Sequence, residues 1–239
     1  MKFVRTHDEF YSKLDPKLPP KDSFVQVANL IDDYKNKNLK SVDIVDYGCA
    51  TGAFVNYLNS RFMNDNIVGY EYLETLISSG KKSYPKIQIK QGSILDIKSI
   101  PKSSVDVLTI LGVIQIFDDI EPILDNLTHW IKPGGKLMIF GMFNLLDVDI
   151  FVKYKLSENF KTPEYEAGWN IISQKTITKM LDKRGAKNIK FHKFNISVDL
   201  DKNPSDPIRS WTEKMNDGSR QIVNGTCLKQ PHFILEADL

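Results

Sequence analysis

An α/β fold, with a mostly parallel sheet carrying helices on both faces, follows from three features of this 239-residue chain. The first is the stretch VDIVDYGCATGAFVNYL, Val42 to Leu58. It reads as an apolar strand, a glycine loop from Gly48 to Gly52, then Ala53, Phe54, Tyr57 and Leu58 at helical spacing. That is half of a nucleotide-binding βαβ unit. The second is the alternation of short apolar runs with amphipathic stretches from Ser41 to Phe143, the pattern of parallel strands joined by helices. The third is Lys132-Pro133-Gly134-Gly135, which stops one helix just before another apolar run.

Taken in order, Met1 to Pro20 is mixed and proline-bounded, with Phe3, Phe10, Tyr11 and Leu14 as apolar anchors. Phe24, Val25, Val27, Ala28, Ile31 and Tyr34 predict an amphipathic helix over Lys21 to Lys37, capped by Asp22 or Ser23. After the glycine loop and its helix, Asn66 to Glu71 (NIVGYE) predicts a second strand and Leu73 to Lys82 a helix. Ile87 to Lys90 alternates as a third strand, and Ser104 to Leu111 is the fourth. Asp118 and Asp119 precede a helix over Ile120 to Ile131 and suit its cap. Lys136 to Phe140 is the fifth strand. Ser173 caps a helix over Gln174 to Lys183, which Gly185 ends. Asn188 to Phe194 and His232 to Ala237 complete the strands. The expected organisation is one domain over 1–239: an arm and helix over 1–40, a ligand-binding core over 41–143, and irregular inserts over 144–172 and 195–231.

Composition excludes several classes. Hydrophobic content of 41% and charged content of 26% are ordinary for a globular chain. A net charge of +2 supplies no basic surface for nucleic acid. Cys49 and Cys227 make neither a disulfide framework nor a zinc pattern. No apolar run is long enough to span a membrane, and the first residues lack a signal-peptide core. A cytoplasmic protein is expected.

The glycine loop constrains the ligand. Ala50 stands where a dinucleotide loop uses a second glycine to approach pyrophosphate. Asp46 would repel pyrophosphate and suits a cationic or amine-bearing ligand. The amides at the following helix start favour a carboxylate or phosphate. An acid ending the second strand, Glu71, can accept hydrogen bonds from ribose hydroxyls or cap the helix beside it.

With these features, D-Y-G-C-A-T-G resembles the first motif of class I S-adenosylmethionine-dependent methyltransferases, and L-x-x-W-I-K-P-G-G-K-L-M-I resembles their turn before the fifth strand. The resemblance covers Ser41 to Phe143. It implies a Rossmann-like seven-stranded sheet whose last strand is antiparallel, S-adenosyl-L-methionine as cofactor and S-adenosyl-L-homocysteine as product. It implies cofactor contacts from Asp46, Gly48, Ala50, Gly52, Glu71, from Tyr72 against adenine, from Gly92, Ser93 and Ile94 around the ring, and from Leu111 and Gly112. Gly92-Ser93 departs from the Gly-Asp of many members, and Gln115-Ile116 from their Glu-His, which removes a convenient general base.

In such a sheet, ligands sit beyond the carboxyl ends of the parallel strands. Both inserts and the N-terminal arm then roof one pocket, which favours a small polar acceptor over nucleic acid or another polymer. Among the four histidines, His232 at the start of the last strand is the candidate base, with a solvated strand edge as its alternative. His7 lies in the arm. Asn144 is the candidate to orient the acceptor, or a turn residue. Gln115, Arg209, Trp211 and Arg220 are the candidate substrate contacts, suited to a sugar or sugar conjugate carrying an anion and methylated on oxygen. Asp118, Asp119, Asp147 and Asp149 suit caps and loops better than a magnesium site, so no metal is expected. A tRNA or protein methyltransferase, an NAD-dependent dehydrogenase and a non-catalytic cofactor-binding protein are the alternative readings.

Overall fold

The central strands carry near-continuous buried runs, as a sheet covered on both faces requires. In the computed structural model, which describes residues 11–13, 15–38 and 41–239, the central parallel strands are β1 (Asp43–Tyr47), β2 (Asn66–Glu71), β3 (Gln88–Gln91), β4 (Val105–Leu111) and β5 (Ile131–Asn144). The later strands are β6 (Lys153–Tyr154), β7 (Glu166–Ala167), β8 (Ile172–Ser173), β9 (Lys187–Lys193), β10 (Trp211–Lys214), β11 (Arg220–Val223) and β12 (His232–Asp238). The helices are α1 (Asp22–Asn38), α2 (Ala53–Arg61), α3 (Glu74–Ser83), α4 (Glu121–Trp130) and α5 (Gln174–Asp182). Ile44, Val107, Met138 and Ile234 face α1 and α2, against Val27, Ile31, Phe54 and Leu58. Their neighbours Val45, Leu108, Leu137 and Leu235 face α4 and α5, against Leu124, Leu127, Ile177 and Leu181.

The sheet runs β3-β2-β1-β4-β5-β12-β9. Strands β1 to β5 pair in parallel. β12 is antiparallel to both β5 and β9, so β9 points the same way as β5. This is the Rossmann-like arrangement expected, with one addition. β5 runs on to Asn144 instead of stopping at Phe140, and β8 pairs with its last two residues, giving eight strands instead of seven. The Lys-Pro-Gly-Gly turn is a bulge inside β5: Val105 pairs with Ile131 and Val107 with Lys136. Gly134 has φ +80° there.

The two inserts are not wholly irregular, because each holds a short hairpin, β6–β7 and β10–β11. Asp22, expected as a helix cap, instead accepts hydrogen bonds from the amide and hydroxyl of Ser197 at 2.8 and 2.6 Å, tying the second insert to α1. Asp119 caps α4 through the Glu121 amide at 3.0 Å. Asp118 pairs with Lys153 and accepts from Asn170, pinning the first insert. Ser173 caps α5 as expected, accepting from the Thr176 amide at 3.0 Å. His7, Phe3, Phe10 and Leu14 lie outside the described residues. No helix among the described residues is long and apolar enough to cross a membrane.

Candidate functional site

The site is built where β1, β2 and β4 end. Gly48 turns the chain out of β1 with φ +76°, and its amide and that of Cys49 both donate to the Tyr70 carbonyl, at 2.7 and 3.0 Å. A side chain at Gly48 would meet Val113 Cγ2 at 2.4 Å, so the turn needs glycine for space as well as conformation. Ala50 also adopts a positive φ, +49°, which costs free energy for an L-residue. Its amide donates to Glu71 Oε2 at 2.9 Å, so the carboxylate that ends β2 holds the strained loop. Glu71 Oε1 accepts from the amides of Tyr72 and Leu73, at 2.7 and 3.0 Å, at the start of α3. Glu71 therefore holds the start of α3, as its reading as a cap has it, and also lines a cavity.

That cavity has a volume of 410 Å³ and lies beyond the carboxyl ends of the parallel strands. Asp46, Gly48, Ala50, Glu71, Tyr72, Gly92, Ser93, Ile94, Leu111 and Gly112 all line it. Gly52 does not. With φ +80° it starts α2 against Ile87 and Ile89, so its part is to bring helix and sheet together.

Asp46 is 2% exposed and accepts from the Thr109 hydroxyl at 2.8 Å. Burial lifts its carboxyl to about 7 against that hydrogen bond, and the Glu71 charge adds to the rise. A group held so far from its ordinary value by burial is poised to ionise when a cation arrives.

The floor near Gly92 is held from α4. Asn126 donates to the Ile94 carbonyl and Trp130 Nε1 to the Ile97 carbonyl, both at 2.8 Å. Tyr47 stacks between Tyr70 and Trp130, with ring centroids 5.3 and 5.1 Å away. Burial pushes its phenol above the usual range. Ser93, in place of the acid of many relatives, accepts from the Leu95 amide at 3.3 Å.

The sequence did not single out Tyr47, Cys49, Lys21, Phe24 or Trp169, all of which line the cavity. Tyr47 and Cys49 sit inside the glycine motif, which was a usable signal. Lys21 and Trp169 come from separate segments, and only the tertiary fold reveals them.

A second cavity of 300 Å³ shares Tyr11 and Trp169 with the first, and Leu200, Asp201, Asp206, Arg209 and Ser210 complete its wall. The N-terminal segment and both inserts meet there as topology implied, over two adjoining cavities instead of one. Of the candidate substrate contacts, Arg209 alone lines either cavity. Trp211 carries Lys202 over its ring at 4.6 Å, and Arg220 pairs with Asp199 at 2.7 Å, so both serve the β10–β11 hairpin. Gln115 is 1% exposed and packs against Gly141 of β5, below the cavity lining.

The two catalytic candidates also lie outside the linings. His232 stacks on Phe140 with centroids 5.2 Å apart, and its Nδ1 lies 2.9 Å from the Gln230 carbonyl. Burial lowers its imidazole to about 4, so it is neutral at physiological pH and a weak base. Asn144 closes a turn, donating to the Val148 carbonyl and accepting from the Leu146 amide. No group of three metal-ligating side chains occurs among the described residues.

Residues 45–139, the segment that forms this cavity floor, match a family of the description "Methyltransferase domain". Over this segment the chain is similar to methyltransferase domains. The chain is 27% identical over 143 residues to malonyl-[acyl-carrier protein] O-methyltransferase 2 of Ilyobacter polytropus, covering 59% of this chain and 53% of that protein. It thus spans about half the length of that curated relative. In fold it is similar to a SAM-dependent methyltransferase of Archaeoglobus fulgidus, with a TM-score of 0.58, 15% identity, and coverage of 91% of this chain and 93% of that one. It is similar also to an S-adenosylmethionine-dependent methyltransferase of Mesorhizobium loti, at TM-score 0.54, 13% identity, and coverage of 83% and 91%.

Proposed function

We propose that the protein transfers a methyl group from S-adenosylmethionine to an oxygen of a small polar acceptor in the cytoplasm. The single observation carrying this reading is the pair of acidic side chains, Asp46 and Glu71, on one cavity at the ends of β1 and β2. Asp46 meets the cofactor's ammonium, and the first-turn amides of α2 meet its carboxylate. Glu71 accepts from the ribose hydroxyls. Gly92, Ser93 and Ile94 border the adenine. With the neutral Ser93 hydroxyl where many relatives carry an acid, the chain's own rigid groups there are the carbonyls held by Asn126 and Trp130. S-Adenosylmethionine supplies the electrophilic methyl; the protein's part is alignment and exclusion of water.

Oxygen as the methylated atom is supported by the curated relative, whose name is that of an O-methyltransferase. With no histidine lining either cavity among the described residues, an acceptor that arrives ionised, such as a carboxylate, needs no base. Trp211 and Arg220 lie off both cavities, so a sugar ring has lost the contacts that favoured it. The acceptor is therefore assigned to small polar metabolites, with sugar conjugates one class among them. The inserts 144–172 and 195–231 act as its cap.

The test is a screen with methyl-labelled cofactor against small carboxylates, hydroxy acids, sugar nucleotides, tRNA and cell protein. Base-labile label in a small carboxylate, or stable label in a hydroxyl, supports the proposal. Label confined to macromolecules overturns it.

A further inference from the structure

The chain has three tryptophans, and the fold puts them to different uses. Trp130 is wholly buried and holds the Ile97 carbonyl, and Trp211 lies under Lys202 on the β10–β11 hairpin. Trp169 is half-buried and lines both cavities, a place that it shares with Tyr11 alone among the described residues. The backbone that carries it is fixed on both sides. Asn170, 1% exposed, accepts from the Val152 amide at 2.9 Å and donates through Nδ2 to the Phe117 carbonyl at 2.9 Å and to Asp118 Oδ1 at 3.1 Å. Its own amide donates to the Gln115 carbonyl at 2.8 Å. On the other side, the Gly168 amide donates to the Val152 carbonyl at 2.8 Å, and a Cβ at Gly168 would lie 2.5 Å from Val152 Cγ1, so glycine lets the two segments close this tightly. The first insert is thereby clamped to the loop after β4, and that loop supplies Val113, Ile116 and Phe117 to the first cavity.

An indole held in place before a ligand arrives offers a large contact area at little cost in conformational entropy. Apolar surface also continues past it, from Phe24 and Phe117 in the first cavity to Leu200 in the second. We infer that Trp169 is the specificity-determining residue for the methyl acceptor: a planar, uncharged ring of the acceptor stacks on its indole where the cavities join. The acceptor's oxygen then lies in the first cavity, and its polar remainder meets Asp206, Arg209 and Ser210 in the second. A cation is the other group that an indole face attracts. Lys21 in the wall of one cavity and Arg209 in that of the other weigh against it. The assignment deepens the methyltransferase reading and rests on it for there being a cofactor and an acceptor.

The experiment titrates 3-phenylpropionate, hexanoate and tetramethylammonium, separately, into the whole chain, alone and saturated with S-adenosylhomocysteine, with binding read by ligand-observed NMR. Wild type, Trp169→Ala and Trp169→Phe are compared, with thermal melting to confirm that each variant folds. The two carboxylates carry the same charge and differ in the ring. Wild type should bind 3-phenylpropionate about threefold to tenfold more tightly than hexanoate, the range expected of an aromatic pair. Trp169→Ala should bring the two carboxylates level, whereas Trp169→Phe, which keeps a ring, should lose less than about threefold. The affinity for S-adenosylhomocysteine should change less than about twofold in both variants. Three results would overturn the assignment. One is 3-phenylpropionate binding that is absent, no tighter than that of hexanoate, or unchanged in Trp169→Ala. Another is tetramethylammonium bound in its place through Trp169, which makes the acceptor cationic. The last is S-adenosylhomocysteine bound tenfold more weakly by Trp169→Ala, which gives the indole to the cofactor. Should wild type fail to bind S-adenosylhomocysteine at all, the methyltransferase reading fails, and Trp169-dependent binding of 3-phenylpropionate to the protein alone still upholds the ring subsite.

Discussion

Replacing Asp46 with asparagine separates the cost of the buried carboxylate from its use. In the ligand-free protein the group titrates at about 7 instead of the ordinary 3.8, a rise of about three pH units. At 1.36 kcal/mol per unit, ionising it in the folded state costs about 4 kcal/mol. The sign follows from proton binding. Between pH ~4 and ~7 the folded chain holds a proton on Asp46 that the unfolded chain has released, so this group's contribution falls as pH rises through that window. It is lost in full above pH ~7. Asparagine has no charge to desolvate and still offers Oδ1 to the Thr109 hydroxyl. Asp46→Asn should therefore stabilise the ligand-free protein by up to about 4 kcal/mol at pH 8, and by less than about 1 kcal/mol at pH 4. Urea denaturation of both proteins at the two pH values reads the difference. The same change should weaken S-adenosylmethionine binding about tenfold to a hundredfold, because a charge-assisted hydrogen bond to the ammonium is lost. Wild-type affinity should also fall as pH drops below ~7, with the variant flat. A variant less stable than wild type at pH 8, or one that binds the cofactor equally well, would refute the argument.

The other predictions rest on single contacts. Glu71→Ala removes the acceptor for the Ala50, Tyr72 and Leu73 amides, so it should lower stability as well as weaken cofactor binding about tenfold or more, read by thermal melting and calorimetry. Asn126→Ala leaves the buried Ile94 carbonyl without its donor and should cost about 1–3 kcal/mol, measured by urea denaturation. Gly141→Ala puts a Cβ 1.6 Å from Gln115 Nε2, and the forced repacking should cost about 1–3 kcal/mol in the same assay. His232→Phe should keep kcat within about threefold and leave its pH dependence between 6 and 8 unchanged, because the imidazole is already neutral and lies off the cavity. A loss of activity by orders of magnitude in a folded His232→Phe would restore the histidine as the base.

The cavity at the strand ends was legible because its parts are local. Strand, glycine loop and helix lie within Val42 to Leu58, and Glu71 closes the next strand, so sequence order alone carries Asp46, Gly48 and Glu71 to one cavity. The second strand was bounded correctly for the same reason, since NIVGYE has an apolar interior and ends in an acid. The part of the cavity walls drawn from distant segments was not legible. Lys21, Trp169 and Arg209 are separated by more than a hundred residues and by some forty, and no periodicity announces that they meet. Trp211 and Arg220 looked equivalent to Arg209 in composition, yet the β10–β11 turn directs them to Lys202 and Asp199. β8 was missed because a two-residue strand has no pattern of its own and exists only by pairing with the end of β5. His232 was assigned correctly to the start of the last strand, but strand position does not say that an imidazole will stack on Phe140 instead of facing a ligand.

The central claim is that the cavity at Asp46 and Glu71 holds S-adenosylmethionine. Calorimetric titration of the purified chain at pH 8 with S-adenosylmethionine, S-adenosylhomocysteine and NAD tests it most directly. The account predicts one site for each of the first two and no heat of binding from NAD. Absence of binding by both sulfur nucleotides at millimolar concentration, or a preference for NAD, would contradict it.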